Sequence, residues 1–237
     1  MRVAVLSDVH GNAVALAAVL AELSREQPDL IVSGGDFTWG PLPEETFELA
    51  RGLNARWVRG NADRAVLESV SSTDRERWMQ AHHSPEMREF LAAFEEQVVV
   101  DVDGLGPVRF CHGSPRSDEE CVTPETPESR VREFSEGVPE RVIVTAHVHL
   151  QFDREVAGIR SVNAGSVGLP YEGKPGAYWA MLGPDVELRR TEYDLDEAIE
   201  RYRASGQPGV EEIVEMMVEP PEPREMIDHA EKVVFSG

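Results

Sequence analysis

Val3-Ala4-Val5-Leu6-Ser7-Asp8-Val9-His10-Gly11-Asn12 is an apolar run that stops at a carboxylate and an imidazole two residues apart. Residues two apart on an extended chain face the same way, so Asp8 and His10 are placed to grip one cation where the chain leaves a buried strand. Gly11 permits a sharp exit. A short strand ending in a polar turn explains this decapeptide equally well, and repetition further along separates the two readings.

Downstream, residues 13–23 are rich in Ala, Leu and Val without Gly or Pro, which predicts a helix closed by Pro28. Residues 30–33 read as a second buried strand, and Gly34-Gly35-Asp36 follows at once. Residues 43–53 predict a helix with acids in its first turn and Arg51 and Gly52 at its end. Residues 57–59 make a short strand before Gly60-Asn61-Ala62-Asp63. This alternation predicts a parallel sheet with right-handed crossovers, whose site lies at the carboxyl ends of the strands.

Residues 64–96 break the alternation with a helical insertion, whose helix starts fall at Thr73-Asp74 and Ser84-Pro85 and which carries His82-His83. Beyond it, short strands are expected at 98–102, 108–111, 141–145, 152–155, 159–162, 177–182 and 186–191, mostly antiparallel, with a helix at 128–134. Residues 194–237 predict acid-rich peripheral helices. Without a long linker or a repeat, 1–237 reads as a single domain.

Of 237 residues, 44 are acidic and 23 basic, a net charge of −21 that argues against nucleic acid as a bulk partner. No segment approaches the ~20 apolar residues of a membrane span, and the apolar start before Asp8 is too short for a signal peptide, so a cytoplasmic location is expected. Cys111 and Cys121 form neither a disulfide framework nor a Cys-x-x-Cys zinc site. Cys111 reads as a small buried hydrophobe.

Asp8, His10, Asp36, Asn61, His112, His147 and His149 each follow an apolar strand-like run, at five separate strand ends. Singly each is ordinary, since turns favour Asp and Asn. Jointly they form an imidazole, carboxylate and amide set that suits zinc, manganese or iron rather than calcium.

In order and spacing these residues resemble the calcineurin-like metallophosphoesterases, whose pattern runs Asp-x-His, Gly-Asp, Gly-Asn, a lone His after a strand and Gly-His-x-His. Ser7-Asp8-Val9-His10-Gly11-Asn12 and Asn163-Ala164-Gly165-Ser166-Val167-Gly168 resemble the small phosphodiesterase branch of that superfamily. The resemblance implies an α/β fold, a two-sheet sandwich flanked by helices, with two divalent transition metals (Mn, Fe, Zn or Ni) on one edge. It implies Asp8, His10 and His149 on one metal, Asn61, His112 and His147 on the other, and Asp36 bridging. A metal-activated hydroxide would then attack a small phosphoester, most naturally a phosphodiester.

Two departures stand out. Ala146 replaces the glycine usual before His147. Ala62 stands where many relatives carry the histidine credited with protonating the leaving group, which leaves catalytic roles to Asp36, Asp63 and an acid from the insertion, His83 or its neighbour His82. Asn12, Arg64 and Arg116 are candidate substrate contacts. Competing readings are a protein-binding scaffold with a vestigial metal site and a serine/threonine phosphoprotein phosphatase. A homo-oligomer is compatible with the acidic tail.

Overall fold

Strand alternation organises the molecule. In β1 (Val3–Leu6), Val3 and Val5 face one way and Ala4 and Leu6 the other, and all four are buried. This strand therefore lies between two apolar layers. The structure, a computed structural model, describes residues 1–233. Residues 234–237, the end of the expected helical tail, lie outside the described residues.

α1 (Ala13–Glu26) returns the chain to β2 (Leu30–Ser33), and α2 (Pro43–Ala50) returns it to β3 (Ala55–Trp57), which gives three parallel neighbours. After the helices α3 (Asn61–Leu67), α4 (Asp74–Ala81) and α5 (Pro85–Ala92) come β4 (Gln97–Val102) and β5 (Gly106–Cys111). α6 (Glu128–Phe134) leads to β6 (Val142–Thr145), then β7 (Gln151–Val156), β8 (Ile159–Ala164), β9 (Ala177–Leu182) and β10 (Val186–Thr191). α7 (Leu195–Ser205), α8 (Val210–Val218) and α9 (Pro223–Ala230) follow. One sheet runs β10-β9-β1-β2-β3 and the other β4-β5-β6-β8-β7.

The two sheets meet through Val3, Val5, Val32 and Leu182 on one side and Val100, Val108, Phe110 and Val144 on the other. Full burial of each such side chain is worth about 1.5–3 kcal/mol. The outer face of the first sheet packs Leu6 and Trp179 against Leu16 and Val19 of α1. On the second sheet Ile143 and Phe152 meet Val131 and Phe134 of α6 and Ile227 of α9. The result is one α/β domain of two mixed sheets flanked by helices.

Pairing beyond residue 97 is mostly antiparallel, as expected, in β1–β9, β9–β10, β4–β5 and β7–β8, but the centre of the second sheet departs from it. β5, β6 and β8 run parallel, and only the edge pairs β4–β5 and β7–β8 are antiparallel. α6 makes the crossover between β5 and β6 that parallel pairing requires.

Candidate metal centre

The exits of β1, β2, β3, β5 and β6 converge on one edge. There the loops after β1 and β2 run side by side, with the Asp8 amide donating to the Gly35 carbonyl and the His10 amide to that of Asp36, both at 3.0 Å. Asp8, His10, Asp36, His147 and His149 all hold left-handed backbone, with φ of 50, 46, 53, 68 and 57°. Side chains other than glycine rarely adopt it, at about 1–3 kcal/mol each. Two glycines answer a different need. A Cβ on Gly60 would lie 2.1 Å from Asp36 Oδ1, and one on Gly35 2.7 Å from His112 Nδ1.

Asp8, His10 and His149 offer ligand atoms within 4.8 Å of one another, and so do Asp36, His112 and His147. Asp36 Oδ2 lies between the groups, 3.7 Å from His10 Nε2 and 3.5 Å from His112 Nε2. Asn61 joins the second group, its Oδ1 3.0 Å from His112 Nε2. The seven residues expected from the sequence are thus brought together.

The donor chemistry fits cations. His10 Nδ1 lies 3.2 Å from the Trp39 carbonyl and His149 Nδ1 2.6 Å from that of Leu169. A carbonyl accepts only, so both rings carry their proton on Nδ1 and turn Nε2 to the site. Those two Nε2 atoms are 3.1 Å apart, and burial, then the neighbouring His149, holds His10 down to about 4, uncharged at neutral pH. Beside them Asp8 Oδ1 is buried without a hydrogen bond, since His149 Nε2, although 3.2 Å away, carries no proton to donate. A cation satisfies this collection of electron pairs.

In the second group burial opposes a charge on His112, but Asp36 overrides it and pushes the ring up to about 10. A proton there occupies the place of positive charge that an ion would take. His147 is held down to about 4 by burial and by His112. Burial also opposes the Asp36 charge, yet His112 and His10 keep its carboxyl well below the usual range.

Three candidates have other work. Asn12 is fully buried: its Oδ1 accepts from the Ala15 amide to cap α1, and its Nδ2 donates to the Gly168 carbonyl, so it has no free group for substrate. Asp63 accepts from the amides of Asp36, Phe37 and Gly60 at 2.8–3.0 Å. It positions the loops after β2 and β3, and burial, then Asp36, raises its pKa to about 7. His83 is 4% exposed, with Nδ1 on the Met79 carbonyl and Nε2 2.9 Å from Thr38 Oγ1. Neither nitrogen reaches the site, and His82 stacks on Trp78 along another pocket.

Arg64 and Arg116 line a separate pocket of about 280 Å³ that His112 also borders. Arg64 is paired with Asp118 and Glu119, and Arg116 with Glu120. Burial pushes the Cys111 thiol up to about 12, consistent with a packing role.

The cavity over the two groups, about 450 Å³, is lined by His10, Asp36, Asn61, Ala62, His147 and His149. Trp39, Arg75 and Glu76 of α4, Leu169, Tyr171 and Met216 of α8 complete its wall. Sequence reasoning missed this wall, because an insertion and a tail show no periodicity that says where they dock. The motif at 163–168 was visible, but not its roles: the Ser166 hydroxyl donates to the Asp8 carbonyl at 2.7 Å, and the Asn163 amide holds the Ala146 carbonyl at 2.8 Å.

Residues 1–183 match the calcineurin-like phosphoesterase superfamily domain. The chain belongs to that superfamily. An uncharacterized protein of Methanocaldococcus jannaschii is 28% identical over 227 residues, covering 84% of this chain and 90% of that protein. The crystal structure of a metallophosphoesterase from Sphaerobacter thermophilus superposes with a TM-score of 0.73 at 27% identity, over 92% of this chain and 99% of that one. A hypothetical protein from Pyrococcus horikoshii shares the fold at a TM-score of 0.75 and 22% identity, over 93% and 99% of the chains. Metal dependence is a property of this family, and the two groups at the strand exits are its candidate sites here. Among the described residues no helix is long and apolar enough to cross a membrane.

Proposed function

We propose that this chain is a metal-dependent phosphodiesterase that holds two divalent cations, one on Asp8, His10 and His149 and the other on Asn61, His112 and His147, with Asp36 shared. The observation that carries this is the position of Asp36 Oδ2 between two buried sets of ligand atoms beneath an open cavity. Two such cations, when bound, supply Lewis-acid activation of water and neutralise charge on a phosphoryl group.

The chain's own residues orient and tune. Carbonyls of Trp39, Gly34 and Leu169 fix the tautomers of His10, His112 and His149. Ala62 donates its amide to Asp36 Oδ1 at 2.8 Å and so helps to leave Oδ2 for the site. Among the described residues of the cavity wall no further imidazole stands in for the one missing at position 62. Tyr171 lies on the cavity wall, but burial pushes its hydroxyl up to about 12. The preferred substrates are therefore phosphoesters whose leaving groups are stable as anions, such as aryl phosphodiesters.

Elemental analysis of reloaded protein is expected to find two divalent ions per chain. Asp36→Asn is expected to abolish hydrolysis of an aryl phosphodiester in manganese with an unchanged circular dichroism spectrum. Full activity in that variant, or after exhaustive chelation, contradicts the proposal.

A further inference from the structure

Among the described residues Arg75 is the only arginine or lysine on the wall of the cavity over the two groups. It stands half-buried in the first turn of α4. That is a costly place for a cation. A helix N-terminus carries partial positive charge and favours anions, and burial depresses the pKa of this guanidinium. Its Nε is buried without a hydrogen-bond partner, and among the described residues the structure shows no ion pair to it.

Acids are within reach in sequence but are otherwise engaged. Asp74 takes Arg77, and Glu76 takes the amide of Thr73 and the hydroxyl of Ser72. Glu212 of α8 and Tyr171 act on the guanidinium only through space. Tyr171 in turn stacks on His149, with ring centroids 4.6 Å apart, which ties the arginine's surroundings to the candidate metal ligands.

A desolvated guanidinium with unused donors beside a candidate metal centre is suited to a tetrahedral oxyanion, which its fork of N–H groups meets two oxygens at a time. We propose that Arg75 binds the non-bridging oxygens of the substrate's phosphoryl group from the cavity wall. This rests on the phosphoesterase reading above and adds a substrate-binding residue to it. It also moves that role away from Arg64 and Arg116, whose guanidinium groups are engaged by carboxylates.

Inorganic phosphate is the probe. Calorimetric titration into the manganese-loaded full chain is to be run on wild type, Arg75→Gln and Arg75→Lys, with metal content measured in each. Equal metal content is expected throughout. Arg75→Gln should bind phosphate on the order of 10–100-fold more weakly, and Arg75→Lys should fall between, since it keeps the charge without the fork. The KM for an aryl phosphodiester should rise in parallel. The thermal midpoint of Arg75→Gln should hold or increase, because no partner is lost, whereas a merely structural arginine would lower it. Unchanged phosphate affinity in Arg75→Gln at full metal content overturns this proposal alone. Failure of the wild type to take up metal overturns it together with the phosphoesterase reading.

Discussion

The interior of the sandwich and the edge that carries the candidate ligands are built on opposite terms. Between the sheets, valines and leucines sit on regular extended backbone and meet only other apolar side chains. At the edge, five side chains hold left-handed backbone, two imidazole nitrogens face each other at 3.1 Å, and a buried carboxylate oxygen lacks a hydrogen bond. The interior contributes stability in increments of about 1.5–3 kcal/mol per large side chain. The edge gives up about 1–3 kcal/mol at each strained residue. A rigid support is what allows a poor local conformation to persist, so damage to each region should have a different signature.

The largest expected effect lies at the edge and touches rate alone. Ala62→His is expected to raise hydrolysis of esters with poor leaving groups by ~10²–10⁴-fold, the usual worth of general acid catalysis, and to flatten the dependence of kcat/KM on leaving-group pKa. The new imidazole must work without Asp63, whose carboxylate is occupied by three backbone amides. An unchanged slope would mean that the leaving group departs elsewhere in the cavity.

In the interior the converse is expected. Leu182→Ala, at a fully buried position, should cost ~2–5 kcal/mol of unfolding free energy in denaturant titrations, with metal uptake by the folded protein intact. Loss of metal uptake before global unfolding would erase the distinction between the two regions.

His83 stands between them, polar like the edge and sealed like the interior. Burial lowers its pKa from the ordinary 6.5 to about 4, so the unfolded chain binds more protons between these values. Its contribution to stability is therefore complete above pH 6.5 and is lost as the pH falls towards 4. Comparison of wild type with His83→Gln across this window should show up to about 3 kcal/mol less acid destabilisation in the variant. Parallel pH profiles would show that His83 is not held neutral.

The smallest effect has an unusual sign. His147→Gly removes a candidate ligand and, at φ 68°, a strained residue. Thermal unfolding of the metal-free variant is expected to show a gain of about 1 kcal/mol, while metal uptake falls. A loss of stability would mean that the imidazole is a packing element and that the left-handed backbone at this edge is not strained.

What was legible in the sequence follows the same division. Each of the five ligand-bearing exits is an apolar run cut short by a polar side chain, so the chemistry was written locally, and even Asn61 needed only Gly60 before it. Roles that depend on which atom of a polar side chain is already engaged were not written locally. Asn12 lies within the opening motif but is spent on a helix cap and a loop carbonyl. Asp63 is spent on amides from two loops, and His83 faces Thr38 because α4 and α5 dock as they do. Arg75 was hidden for a further reason: beside Asp74, Glu76 and Arg77 it looks like one more charge on a solvated helix. The parallel centre of the second sheet was within reach, since residues 128–134 had to carry the chain back between β5 and β6.

The wall of the cavity has a consequence for descent. α4 and α8 add neither a strand to the sheets nor a residue to the two ligand groups, and α8 lies beyond the residues that match the family. Clientele and chemistry therefore reside on separately replaceable parts. Lengthening α4, or exchanging Met216 on α8, is expected to change the shape of the chamber while every candidate ligand keeps its place at a strand end. On this plan the chamber can be reclad without touching any of the seven candidate ligands.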